Sequence, residues 1–169
     1  MAPDMKAHDD AQANAPQAQH YMKPGKLEIA LLHRPMTWLN RHGIALNGKG
    51  VLAVRGRTSG EWRVTPVNPL SHQGRRYLVA PRGHTQWVRN LRAAGTGEIR
   101  VGKRAEPFTA VEVADADKPE LLRTYLKRWG WEVGRFFGGV TAKSSDEELL
   151  QAAPKHPVFL ITPLEGPAR

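Results

Sequence analysis

The order of apolar and polar residues along the chain predicts short strands in the middle of the sequence, with helices before, between and after them. Apolar residues recur at helical spacing in residues 26–42, and a short helix over residues 86–94 is closed by Gly95. The runs that favour strands are separated by glycine-containing turns. They cover residues 50–55, 64–70, 76–80, 98–101, 108–113 and 158–161.

Two further helices are predicted from capping signals in the last third of the chain. Asp117 and Glu120 have the spacing of a capping box, and so do Ser145 and Glu148, whose short helix would end near Ala153. The first of these helices would bury Leu121, Leu122, Tyr125, Leu126 and Trp129. Because strands and helices do not alternate regularly, the pattern indicates an α+β protein with a mainly antiparallel, barrel-like sheet.

Composition limits the chemistry. The 169 residues include no cysteine, which excludes disulfides, iron–sulfur clusters and cysteine nucleophiles, and the histidines lack metal-ligand spacing, so no metal site is expected. Residues 1–22 have the composition of a disordered leader, and residues 23–165 are expected to form one domain. The chain contains no secretory signal and no apolar run long enough to span a bilayer, so a cytoplasmic location is expected.

The formal net charge of +9 is concentrated in one part of the chain. Residues 23–104 contain 16 Lys or Arg and only three Glu, whereas the segments on either side are slightly acidic. Such a basic segment indicates an anionic partner, which could be nucleic acid, a membrane surface or a phosphorylated cofactor.

The first motif with chemical potential follows the strand at residues 50–55. It reads Gly-Arg-Thr-Ser-Gly at residues 56–60, and Arg63 and Pro66 come after it. Glycines allow backbone amides to converge on an anion, hydroxyls add donors, and guanidinium groups bind phosphate oxygens in a bidentate manner. The alternative is a solvated hairpin turn whose arginines face water.

The second motif lies where the next strand meets a helix. Arg82 and Gly83 precede Thr85, which is placed to cap the helix, and the positive helix end beside an arginine favours an anion. Trp87 and Asn90 lie one turn apart and could form a pocket wall. Alternatively, Trp87 belongs to the core and Asn90 is a satisfied polar group.

Together the two motifs resemble the deazaflavin-dependent nitroreductases, a branch of the split-barrel flavin/deazaflavin oxidoreductases. The shared pattern is G-R-x-S-G-x-x-R-x-x-P at residues 56–66, then R-G at residues 82–83 and W-x-x-N-L-R-A at residues 87–93. The resemblance implies an α+β split β-barrel, the hydride carrier coenzyme F420 with its polyglutamylated phosphate tail, and an actinobacterial or similar source.

The resemblance also implies which residues hold the cofactor. Those expected at its phosphate and acidic tail are Arg57, Thr58, Ser59, Gly60, Arg63, Arg82 and Gly83. Those expected beside the deazaflavin ring are Pro66, Val67, Asn68, Val79, Ala80 and Pro81, with Trp87 and Asn90 completing the pocket wall. The sequence departs from the pattern at Thr58, where many relatives have lysine, and at Pro81, where a small polar residue is common. Residues 129–137 are aromatic but lack the tyrosines that many relatives carry there.

The implied activity is hydride transfer from reduced F420 to a quinone, a nitro compound or an activated alkene. Solvent ranks first as the source of the proton, and Tyr125 and His84 are the side-chain candidates. FMN or haem could replace F420, and the barrel could instead bind a cofactor or a lipid without turnover. Nucleic acid ranks last, because aromatic residues are not interleaved with lysines as in a stacking platform.

Three structural questions stay open at this level. Residues 26–42 could rest on anionic lipid as a peripheral membrane contact or simply pack on the barrel. Residues 129–137 could pack as an ordinary helix or form an apolar lid over the substrate. Both a monomer and a homodimer are compatible with the sequence.

Overall fold

The computed structural model describes residues 49–101 and 104–164. The predicted leader at residues 1–22 and the predicted helix at residues 26–42 lie outside the described residues.

Seven strands of the described chain form one sheet in which all neighbouring pairs are antiparallel. The strands are β1 (Gly50–Arg55), β2 (Trp62–Val67), β3 (Leu70–His72), β4 (Arg75–Val79), β5 (Thr96–Val101), β6 (Arg104–Glu112) and β7 (Val158–Pro163). Their order across the sheet is β2-β1-β5-β6-β7-β4-β3. The last of the described strands therefore lies inside the sheet, between β6 and β4.

The predicted strand at residues 64–70 is wrong in one respect, because the structure divides it into β2 and β3. The break falls at Asn68 and Pro69. Proline lacks the N–H that a ladder needs, so it ends one strand rather than continuing it. Strands β5 and β6 begin earlier than predicted, because their backbone pairing continues beyond the apolar residues that marked them, to Thr96 opposite Thr109 at one end and to Val101 opposite Arg104 at the other.

Three α-helices are described: α1 (Gln86–Ala94), α2 (Pro119–Val133) and α3 (Asp146–Ala152). The bounds of α1 agree with the prediction, and Gly95 ends it in a left-handed conformation at φ 66°. The predicted capping box at Ser145 is also confirmed, since its side chain accepts from the Glu148 N–H and the Glu148 side chain accepts from the Ser145 N–H.

The capping box predicted at Asp117 is wrong. Asp117 ends a short 3-10 turn, and Lys118 occupies the N-cap position without a side-chain cap. Pro119 begins the helix; its φ is fixed near the helical value and it has no N–H to be capped. The apolar face predicted for this helix is nevertheless confirmed, since Leu122 and Tyr125 are at most 1% exposed.

Two apolar clusters pack on opposite faces of the sheet. In β4, Tyr77 and Val79 contact the cluster that contains α2 and α3, whereas Leu78 belongs to the cluster that contains α1. Successive side chains of a strand point to opposite faces, so β4 is buried on both sides. The architecture is an α+β split β-barrel: a curled antiparallel sheet flanked by three helices.

Candidate active site

A cleft of about 1070 Å3 lies where the β1–β2 loop, the β4–α1 loop and the end of α2 meet. Most of the residues that the sequence nominated line it. They are Arg57, Thr58, Ser59, Arg63, Pro66, Val67, Asn68, Val79, Pro81, Arg82, Trp87, Asn90 and Tyr125. The two motifs, which are 16 positions apart from Pro66 to Arg82, therefore face one space.

The β1–β2 loop is a tight turn closed by its own backbone. The Gly56 N–H donates to the Glu61 carbonyl and the Gly60 N–H donates to the Gly56 carbonyl, both at 2.8 Å. Gly60 has a φ of 68°, which favours glycine, and a Cβ on Gly56 would lie 2.8 Å from the Ser59 Oγ. The glycines thus serve the turn, while the exposed side chains of residues 57–59 project from it.

Asn90 fastens this turn to α1. Its Oδ1 accepts from the Arg57 backbone N–H at 3.2 Å and from Arg57 Nη1 at 2.9 Å, and Gln86 Oε1 accepts from the same Nη1 at 2.8 Å. Asn90 is 5% exposed, and these bonds make it the satisfied polar group that the sequence offered as the alternative to a ligand-facing residue. Arg57 is therefore held by neutral amides, and its positive charge is not cancelled by them.

The N-terminus of α1 opens toward the cleft without a cap. Thr85 occupies the N-cap position, as predicted, but its side chain does not cap the helix, and its buried Oγ1 has no hydrogen-bond partner among the described residues. The first turn of α1 contains no acidic residue. Orphan N–H groups, the helix dipole and an unused hydroxyl together form a donor set that suits an anion.

The cleft wall also carries arginines with little carboxylate compensation. Arg63 lies 3.7 Å from Glu61, but both side chains are more than 60% exposed, so this pair contributes little. Arg82 and Arg135 approach the ring of Phe136, with their guanidinium carbons 5.0 Å and 4.8 Å from its centroid. Within the described residues, neither Arg82 nor Arg135 forms an ion pair.

A different set of polar residues lines the cleft at Tyr125 and Glu132. Burial raises the pKa of the Tyr125 phenol to about 12, against the opposing effect of a hydrogen bond to the Asn68 side chain. Glu132 Oε1 pairs with Lys49 Nζ at 2.7 Å, and both side chains are about 30% exposed. We call Lys49, Asn68, Tyr125 and Glu132 the polar corner; all four line the cleft.

Four nominated residues lie away from the cleft wall: Gly60, Ala80, Gly83 and His84. Ala80 is 1% exposed because its side chain packs in the α1 cluster. Gly83 lines a smaller cleft of about 680 Å3. His84 is turned toward Pro154 O and Arg92 Nη1, each 3.0 Å from one of its ring nitrogens, so the structure does not support it as a proton donor in the cleft.

Sequence reasoning missed the parts of the cleft that depend on long-range contacts. Lys49 and Glu132 are 83 residues apart, and no local pattern joins them. Glu132 alone carried a usable signal, because it lies seven residues after Tyr125 and hence on the same helix face. In residues 129–137, Phe137 packs in the core, Phe136 lines the cleft and Trp131 is 83% exposed. Movement of this segment as a lid stays a prediction.

Comparison with known families decides the assignment. A sequence model described as F420H2-dependent quinone reductase matches residues 34–131, more than half of the chain. The chain belongs to this family. It is accordingly an oxidoreductase, and an F420-dependent reductase. No curated protein matches the chain.

Solved structures agree in fold. The structure of an F420-H2 dependent reductase, FDR-A, is 18% identical with a TM-score of 0.51, and the alignment covers 69% of this chain and 95% of that one. A structure described as a domain-swapped dimer is 15% identical with a TM-score of 0.51, covering 79% of this chain and 98% of that one. At these identities the likeness shows the split-barrel fold alone.

The described residues offer neither a membrane-spanning helix nor a metal-binding cluster. None of the described helices combines the length and apolar character needed to cross a membrane. No group of three or more His, Asp or Glu side chains in residues 49–101 and 104–164 could hold a metal ion.

Proposed function

We propose that this protein transfers a hydride from reduced F420 to an electron-poor small molecule, a quinone, a nitro compound or an activated alkene, inside the large cleft. One observation carries the proposal. Donor groups from two separate loops, the β1–β2 turn and the β4–α1 segment, lie on the wall of the same cleft, which also contains an apolar strip and a phenol.

The donor set fits the phosphate and acidic tail of F420. The uncapped start of α1 and the orphan Oγ1 of Thr85 supply neutral donors, while Arg63 and Arg82 supply charge. Charge-assisted bonds to phosphate are stronger than those between neutral groups. Arg57 contributes its charge from the position in which Asn90 holds it, so the loop is preorganised before ligand binds.

The apolar strip fits the deazaflavin ring. Pro66, Val67, Val79 and Pro81 line the cleft, and the half-buried Trp87 lies beside them with its ring 6.0 Å from that of Phe159. The proline positions expose no N–H, so an aromatic ring could lie against this strip without leaving a donor unpaired. We assign Asn68 to the boundary between this strip and the polar corner.

Reduced F420, when bound, supplies the hydride from C5 of its ring. The acceptor then needs a proton on its oxygen or nitrogen, and the phenol of Tyr125 is a donor that the described part of the chain offers within the cleft. Because burial raises the pKa of Tyr125 to about 12, the phenol keeps its proton in neutral solution. Solvent reaching the open cleft can supply the same proton.

The proposal is tested by adding reduced F420 and menadione, with or without the purified protein. We expect the protein to accelerate the return of oxidised deazaflavin absorbance. Equilibrium binding of F420 and FMN, followed by tryptophan fluorescence, shows which cofactor the cleft accepts. Tighter binding of FMN than of F420 would overturn the cofactor assignment, and F420 binding without turnover would indicate a carrier protein rather than a reductase.

The phosphate site is tested with charge-removing variants. Arg63→Ala and Arg82→Ala should each weaken F420 binding by about tenfold, which corresponds to 1.4 kcal/mol. Arg75→Ala is the matched control, because Arg75 is an exposed arginine at the start of β4 that lines neither cleft. Equal losses of affinity in all three variants would point to a diffuse charge effect and would contradict a defined site.

A further inference from the structure

The polar corner contains a charged pair that hydride transfer itself does not require. Lys49 precedes β1, Asn68 follows β2, and Tyr125 and Glu132 lie on α2. Lys49 Nζ and Glu132 Oε1 are held at 2.7 Å on the wall of the cleft. Partial removal of two charges from water costs free energy, and their mutual attraction offsets it fully only when further hydrogen bonds satisfy the remaining lone pairs.

The two residues from α2 are fixed on one side of the helix. Seven residues correspond to two helical turns, so Tyr125 and Glu132 project in nearly the same direction. Tyr125 is held by its packing on Trp129, whose ring centroid is 4.9 Å away. The position of the phenol and the carboxylate is therefore set by a rigid element rather than by a loop.

The two oxygens of Glu132 have different surroundings. Oε1 accepts from Lys49 Nζ, whereas Oε2 is shielded from water and accepts no hydrogen bond within the described parts of the chain. A shielded carboxylate oxygen without a donor is destabilising, and such atoms in native proteins need an explanation. A donor arriving with a ligand would supply the missing bond.

The corner thus offers a complementary pair of groups. The Tyr125 phenol can donate to a carbonyl oxygen, and Glu132 Oε2 can accept from a neighbouring N–H or O–H. Plain quinones and nitro compounds carry acceptors alone, so they would leave the Glu132 oxygen unsatisfied. A substrate with a donor directly beside its conjugated carbonyl would satisfy both groups.

We propose that Glu132, positioned by Lys49, selects hydride acceptors that carry an N–H or O–H group next to the reducible carbonyl, such as vinylogous amides and unsaturated lactams. This inference rests on the proposed function, since it takes the cleft to be the substrate site. Glu132 is a specificity-determining residue in this scheme and takes no part in hydride transfer.

The test uses two naphthoquinones that differ in one group. Menadione carries a 2-methyl group, and 2-amino-1,4-naphthoquinone carries a 2-amino group of similar size beside its carbonyl. Their dissociation constants are measured by calorimetry on the protein loaded with oxidised F420, so no turnover occurs. We expect the amino compound to bind about ten- to a hundredfold more tightly, the range associated with a hydrogen bond to a charged group.

Variants separate the proposed role from a structural one. Glu132→Leu should abolish the preference for the amino compound, whereas Glu132→Gln, which keeps a neutral acceptor, should retain part of it. Glu147→Gln, at an exposed position on α3, is the control and should leave the preference unchanged. If Glu132→Leu is poorly folded, a double variant with Lys49→Met and Glu132→Leu takes its place in the comparison. This double variant removes both charges, so it leaves no unpaired lysine.

Two results would overturn the inference: equal affinity of the wild-type protein for both compounds, or an unchanged preference in the folded variants that lack the Glu132 carboxylate. Failure of the proposed function looks different. The protein would then not oxidise reduced F420 with either quinone, although the binding preference and its dependence on Glu132 would persist.

Discussion

Replacing Asn90 should show that one buried amide organises the candidate site. Asn90→Ala removes the acceptor of two hydrogen bonds, from the Arg57 backbone N–H and from Arg57 Nη1. The side chain is 5% exposed, so water would not readily replace the lost Oδ1 as the acceptor of these two bonds. The β1–β2 turn would lose its attachment to α1, and the cleft would lose the fixed position of one wall.

The size of the effect follows from the two bonds. A neutral bond contributes about 0.5–1.5 kcal/mol, and a bond from a charged donor contributes about 1.5–3 kcal/mol. The Arg57 side chain is exposed, and solvent screening reduces the second figure. We therefore expect a loss of about 2 kcal/mol in the free energy of unfolding. At this chain length, that loss lowers the Tm by about 4–8 °C.

Urea unfolding followed by tryptophan fluorescence measures the loss. Gln86→Ala is the control, because Gln86 also accepts from Arg57 Nη1 but is exposed, and it should cost less than about 0.5 kcal/mol. Asn90→Asp keeps the acceptor and should retain the stability, but its negative charge beside the anion site should weaken F420 binding. If Asn90→Ala changes the unfolding free energy as little as the control does, Asn90 does not anchor the turn.

Three further predictions concern single side chains. Tyr125→Phe should leave F420 affinity unchanged and slow acceptor reduction in single-turnover experiments by about tenfold or more; an unchanged rate would assign the proton to solvent. Burial lowers the pKa of His156 from 6.5, so the unfolded chain binds a proton that the folded chain does not. Stability should therefore fall as the pH drops below 6.5, by at most ~1.36 kcal/mol per pH unit, and His156→Gln should flatten this dependence in urea titrations. Gly97→Ala would place a Cβ 2.9 Å from the ring of Phe108 and should cost about 1–3 kcal/mol in thermal unfolding. Gly130→Ala, where the Cβ meets open space, should cost nothing; equal effects of the two glycine variants would refute the steric argument.

Local sequence patterns predicted the elements whose ends are set by nearby residues. The bounds of α1 agree with the prediction because Gly95 can adopt the left-handed conformation that ends a helix. The capping box at Asp117 failed because the same spacing of an acid and a glutamate occurs where a 3-10 turn and Pro119 already determine the start of the helix. A short polar motif does not reveal which backbone conformation precedes it.

The candidate site was predicted in outline but not in its internal bonding. The nominated arginines Arg57, Arg63 and Arg82 line one cleft, as the two motifs indicated. The sequence could not tell that Asn90 binds Arg57 rather than facing a ligand, because that contact joins residues 33 positions apart. The pair of Lys49 and Glu132 could not be predicted for the same reason, because it depends on how α2 packs against the start of β1.

The position of β7 within the sheet has a consequence for the order of assembly. In the described chain, the hairpin of β3 and β4 joins the rest of the sheet only through β7, which is made after all the other strands. The β3–β4 hairpin and the β1–β2 turn stand on opposite sides of that junction. During synthesis, we therefore expect Val79 and Pro81 to take their places in the cleft only once residues 158–163 are available to pair with β4, whereas the contact between Asn90 and Arg57 does not depend on β7.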